Sequence, residues 1–167
     1  MRPRVLEPVQ VFIDHPDVVV ILVQHVSVVI PRGKATPMLI SKVQGGLVAL
    51  AARAGPGGIG MLFVVPKTSE TPDGPVRTAA GKMFEGLRDH LRVVATQIEG
   101  TGFAAATKRS IFTWATSNML GKTPIKTFGG LAEATVWLAA QCAAQNVACP
   151  PAAVLHEIAL KHHQPMA

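Results

Sequence analysis

Tyrosine is absent from this chain, cysteine occurs only twice, and charged residues fill just 16% of its 167 positions. Cys142 and Cys149 supply neither a disulfide framework nor a Cys-x-x-Cys pair. They read as reduced, mostly buried thiols. Scarce charge combined with 49% hydrophobic residues excludes a disordered chain. Aromatic residues are only 5%, and the cations behind the net charge of +6 are scattered singly, apart from the adjacent Lys108-Arg109. With no basic run and few rings on which bases could stack, a solvated basic surface is the better reading than a nucleic-acid site. The longest apolar run, residues 18–30, is interrupted by Gln24, His25 and Ser27. It falls short of the roughly 20 apolar residues of a membrane helix and reads instead as a buried strand. Residues 1–8 lack the apolar core and small-residue cleavage site of a secretory signal, so the expected location is the cytoplasm.

What is present is an alternation of strand and helix signals sized for one compact domain. Residues 9–13 alternate with the two-residue period of a strand, and His15-Pro16-Asp17 turns the chain into the apolar run. Those two strands are expected to form an antiparallel hairpin. Thr36-Pro37 provides an N-cap followed by a proline at the first helical position, opening a helix to about residue 54 despite Gly45-Gly46 within it. Strand 59–65 follows, then a polar loop over 66–75. The strongest amphipathic pattern comes next, from Val76 to Leu91. Strand 92–99, a helix over 103–120, a short strand 125–128 and a helix from Leu131 complete a domain of residues 1–145. The extension 146–167 is expected to carry a last helix over 152–162, packed in cis or exchanged with a partner chain.

Several constellations suggest chemistry and fail on context. Gly55-Pro-Gly57-Gly58-Ile-Gly60 fits G-x-G-x-x-G in letters, but follows a helix and enters a strand, the reverse of a dinucleotide-binding turn. Gly121-Lys122-Thr123 resembles the tail of a P-loop whose earlier glycine is a threonine at position 116. His156, His162 and His163 lack the i, i+4 spacing of a metal-binding helix, so no metal or other cofactor is expected. There is no G-x-S-x-G elbow and no carboxylate pair that is not also an ordinary turn or solvated helix face, so no catalytic residue is assigned. The 66–75 loop is the better candidate. Thr68, Ser69 and Thr71 precede a helix, and a phosphate there would meet the helix N-terminus within reach of Arg77. Lys108 and Arg109 project from one side of a later helix and are grouped with the loop as a candidate contact surface.

The order β-β-α-β-α-β-α-β-α, together with Gly60-Met-Leu-Phe-Val-Val65 and the closing Phe128…Glu133-Ala134…Trp137-Leu138, resembles the STAS superfamily, and within it the SpoIIAA-like branch of stand-alone bacterial proteins. The resemblance spans residues 9–141. It implies a single-domain mixed α/β sheet of four or five strands with helices mainly on one face, and non-enzymatic work: partner switching through a phosphorylated residue, or ligand sensing. The family's serine follows an aspartate at the helix start, whereas Ser69 follows Thr68 in a longer loop, so Ser69 is only a candidate. The expectation is a regulatory module that binds a protein partner, a homodimer being compatible. The alternative is a small-molecule or lipid-binding protein with an apolar pocket beside the sheet, and an enzyme with dispersed residues is a third.

Overall fold

The computed structural model describes residues 9–117 and 122–163. Six strands form one sheet: β1 (Gln10–His15), β2 (Val18–Val23), β3 (Val26–Pro31), β4 (Ile59–Val65), β5 (Leu91–Ile98) and β6 (Ile125–Phe128), in spatial order β1-β2-β3-β4-β5-β6. β1, β2 and β3 are an antiparallel meander, and β3 to β6 run parallel. The helices are α1 (Pro37–Ala54), α2 (Gly74–Leu87), α3 (Phe103–Ser117), α4 (Leu131–Ala144) and α5 (Ala152–His162). The part of the third expected helix that reaches residue 120 lies outside the described residues.

The sheet thus has six strands, not the expected four or five. The run 18–30 is two strands: Val23 pairs with Val26, and Gln24-His25 is a two-residue loop with Gln24 at φ 49°. Glutamine is not a residue that announces a left-handed turn. Tertiary bonds hold the loop: the His25 N–H donates to the Ala148 carbonyl at 3.0 Å, and the Gly60 N–H to the His25 carbonyl at 3.0 Å.

Both faces of the sheet are covered, where helices mainly on one face were expected. Val18, Val20, Leu22, Met61 and Phe63 point to α1, α2 and α3, meeting Leu47, Leu50, Met83, Phe84 and Leu87. Val19, Ile21, Val23, Leu62, Val64 and Val93 point the other way, onto Leu138 and Cys142 of α4 and Leu155 and Ala159 of α5. Strands buried on both sides read as unbroken apolar runs, as β2 and β4 do. Each fully buried leucine in these layers contributes roughly 1.5–3 kcal/mol. Residues of the 146–167 extension therefore belong to the second core layer, with α5 seated on its own sheet.

Local chemistry explains the helix limits. The Thr36 hydroxyl accepts the Leu39 N–H at 3.2 Å and Asp73 the Val76 N–H at 3.0 Å, each cap followed by proline in the first turn. Gly46 within α1 admits the Phe12 ring of β1, which would lie 2.6 Å from a Cβ there. The end of α5 is held from the sheet: Arg32, only 5% exposed, donates to the His162 carbonyl at 3.0 and 2.7 Å and lies 3.5 Å from Asp14. His163 Nε2 is 2.7 Å from Glu99 Oε2. Phe128 packs against Trp137, centroids 5.6 Å apart, which joins α4 to the short edge strand. Among the described residues no helix is long and apolar enough to cross a membrane.

Candidate functional site

The carboxyl ends of parallel strands are where open α/β sheets hold ligands, because the crossover loops leave a crevice there. In this chain the crevice lies on the α1–α3 face. Phe63 and Val65 at the end of β4 and Ile98 at the end of β5 form its floor; Ile40, Met83, Phe84, Ile111 and Phe112 from the three helices form its walls. Three rings meet there. Phe63 is 5.1 Å from Phe112 and 5.8 Å from Phe84, and Phe84 is 6.0 Å from Phe112, all tilted or edge-on. Rings in that geometry attract one another through their quadrupoles. They leave an apolar cavity of about 120 Å³.

The 66–75 loop roofs this cavity. A turn closed by the Ser69 N–H to the Pro66 carbonyl at 3.1 Å starts it, and the Glu70 N–H donates to the Gly33 carbonyl at 3.0 Å. Asp73 then caps α2 and directs Val76 inward. Ser69, Glu70, Arg77 and Lys108 supply the polar lining, and neither Arg77 nor Lys108 makes an ion pair among the described residues. The rim therefore carries two cations and one carboxylate around an oily interior.

The residues singled out in the sequence divide accordingly. Ser69, Arg77 and Lys108 come together at the cavity. Ser69 is buried, whereas Thr68 and Thr71 are exposed on the outer side of the loop. Arg109 is directed elsewhere, donating to the Gly100 carbonyl at 3.2 Å. Phe63, Phe84 and Phe112 carry the cavity and were not singled out. Their only signal was inward periodicity, which they share with every core residue.

A second, polar recess opens on the opposite face, lined by Gln97, Glu99, Leu131, Lys161 and His163. Its histidine and carboxylate are within hydrogen-bonding distance, as a catalytic pair would be. Here, however, Glu99 is engaged in tying down the end of α5 beside the Arg32 bonds, and Gln97 donates to the Gly129 carbonyl at 3.1 Å. Among the described residues no serine, threonine or cysteine lines the recess to serve as a nucleophile. Burial lowers the pKa of the neighbouring His162, with the Lys161 and Arg32 charges adding to the effect and Asp14 opposing it. Among the described residues no three histidine, cysteine or acidic side chains gather where they could hold a metal ion.

The glycine-rich 55–60 segment lies at the other end of β4. Gly58, at φ 74° and ψ −173°, brings the backbone so close to the His90 carbonyl that a Cβ would sit 2.6 Å from it. Its glycines serve a tight turn into the strand. The chain matches no protein-family model, no curated protein and no solved structure.

Proposed function

We propose that this chain is a non-enzymatic binding module whose cavity takes a small apolar group carrying an anionic head. The observation that carries the reading is the pairing of an aromatic-lined cavity with Arg77 and Lys108 at its rim. Volume limits the occupant. About 120 Å³ lies close to the roughly 150 Å³ apolar cavity known to hold benzene and below the roughly 300–1,000 Å³ of drug-sized sites. A phenyl ring or a short branched acyl chain fits inside, with its carboxylate or phosphate left outside among the cations.

The loop that roofs the cavity is also the surface expected to meet a protein partner, so occupancy and partner binding act on the same residues. A mixed sheet whose three crossover helices share one face supports the STAS resemblance, while the sixth strand and the second helical layer go beyond it. Burial of Ser69 favours Thr68 or Thr71 as the residue a kinase would reach first.

Native mass spectrometry and ligand-observed NMR with phenylacetate and short branched carboxylates test this reading. Binding is expected to weaken several-fold in an Arg77→Ala, Lys108→Ala double variant and to vanish in Phe112→Trp, which fills the cavity. Uptake unchanged by Phe112→Trp would remove the cavity from the account. A protein partner captured equally well by that variant would favour the loop acting alone.

A further inference from the structure

We propose that the groove between α2 and α3 is the head-group subsite of the cavity and takes a phosphate monoester, so that the occupant is a small apolar phosphate ester. The inference rests on the cavity binding a ligand as proposed above, and it adds the place and the chemistry of the head. Gly74, Arg77 and Thr78 of α2 face Ser110 and Ile111 of α3 across an open recess of about 500 Å³. Arg77 and Ile111 also line the apolar cavity, so one cation and one aliphatic side chain border both spaces. A ligand whose ring fills the cavity of about 120 Å³ leaves it past that pair and enters the groove. Room is ample there. A Cβ on Gly74 would meet nothing within 4 Å.

The two linings differ in kind. The cavity is built from rings and aliphatic chains, whereas the groove presents a guanidinium and two hydroxyls, with Arg77 and Thr78 contributed by one helix and Ser110 by the other. All three residues are exposed, so their donors are open to a ligand. Backbone amides of the first turn of α2 play no part, because Asp73 Oδ1 already accepts the Val76 N–H at 3.0 Å. Recognition falls to the side chains.

That donor set separates two kinds of anion. A carboxylate has two oxygens in one plane, and the arginine fork satisfies both. The hydroxyls are then left idle. A phosphate monoester carries a charge of about −1.5 to −2 at pH 7 and three acceptor oxygens. When two of them take the fork, the third lies out of its plane and can accept from a serine or threonine O–H. Lys108 lines the cavity and not the groove, so it contributes less to the head than Arg77 does.

The test is calorimetric titration of the whole chain with benzyl phosphate, phenylacetate and inorganic phosphate. The first two share a ring and differ in the head; the third has the head alone. Benzyl phosphate is expected to bind at least tenfold more tightly than either of the others. A Thr78→Ala, Ser110→Ala double variant should bring benzyl phosphate down to the level of phenylacetate and leave phenylacetate within about twofold. Arg77→Ala should weaken benzyl phosphate at least tenfold, and Lys108→Ala less than threefold. Because these residues are not buried, the variants are expected to fold, which their thermal transitions check. Equal affinity for benzyl phosphate and phenylacetate, or a phosphate preference untouched in the double variant, would overturn the subsite while leaving the cavity in place. Binding of inorganic phosphate as tight as that of benzyl phosphate would overturn the link between groove and cavity. Failure of both ring-bearing ligands to bind would overturn the cavity reading and the subsite together.

Discussion

The two faces of the sheet are filled to different degrees. Under α4 and α5 the contact residues include small ones, Gly60, Ala95, Ala134, Cys142 and Ala159, which let helix and sheet approach closely around Leu138 and Leu155. Under α1, α2 and α3 the large rings of Phe63, Phe84 and Phe112 meet at angles beside an apolar cavity at the carboxyl end of the strands. Small side chains allow close approach, whereas three large rings meeting edge-on pack around a cavity. One sheet thus carries a face packed closely around Leu138 and Leu155, with a polar recess beside the end of α5, and a face that opens an apolar cavity able to accept something.

Substitutions can break that contrast. The largest effect is expected from Leu138→Ala on the α4–α5 face, about 2–5 kcal/mol by urea denaturation. Phe112→Ala on the open face, where the ring is only partly buried, is expected to cost less while enlarging the cavity. Equal losses would show that the two faces are packed alike. Next comes Arg32→Ala, which leaves the His162 carbonyl without its two donors and should cost about 1–3 kcal/mol. Amide exchange should speed up in α5 before it does in α1, and a uniform increase would contradict a local tie. Asp73→Ala removes the cap of α2 and is expected to cost about 1 kcal/mol. It should loosen the roof over the cavity, so ligand affinity falls further than the Leu138→Ala variant predicts at matched stability.

The smallest effect concerns pH. Because the folded pKa of His162 lies below its unfolded value of 6.5, the unfolded chain binds its proton more readily in that window. The contribution of His162 is fully present above about pH 6.5 and declines as pH falls from there towards the lower folded value. A His162→Gln variant should show a flatter stability profile between pH 7 and 5; an unchanged slope would assign the acid sensitivity to other groups.

The sequence announced the helices more clearly than it announced the turns between strands. Thr36-Pro37 is a capping signal that depends on a few neighbouring atoms, so it could be read locally; Asp73-Gly-Pro is of the same kind, but lies within the stretch 66–75 that reads as loop. The break at Gln24-His25 depends on Ala148 and Gly60, far away in the chain, and no local pattern encodes it. Ser69 and Arg77 were legible because polar residues beside a helix start stand out, and Lys108 because it belongs to the adjacent cation pair Lys108-Arg109. The rings of Phe63, Phe84 and Phe112 were not, since a side chain lining a cavity and one filling a core follow the same inward periodicity. The burial of Ser69 also escaped local reading, because it follows from the Glu70 to Gly33 backbone bond across the loop.

The unbroken spatial order β1 to β6 has a consequence for how the molecule is made. Every strand joins the edge left by the strand synthesised just before it, so the growing sheet offers the nascent chain one advancing edge and never has to open a gap for a late arrival. Domains emerging from the ribosome at about 5–20 residues per second can then add strands in the order in which they appear. The four-residue β6 ends that growth on a short edge with little room for a stray chain to pair.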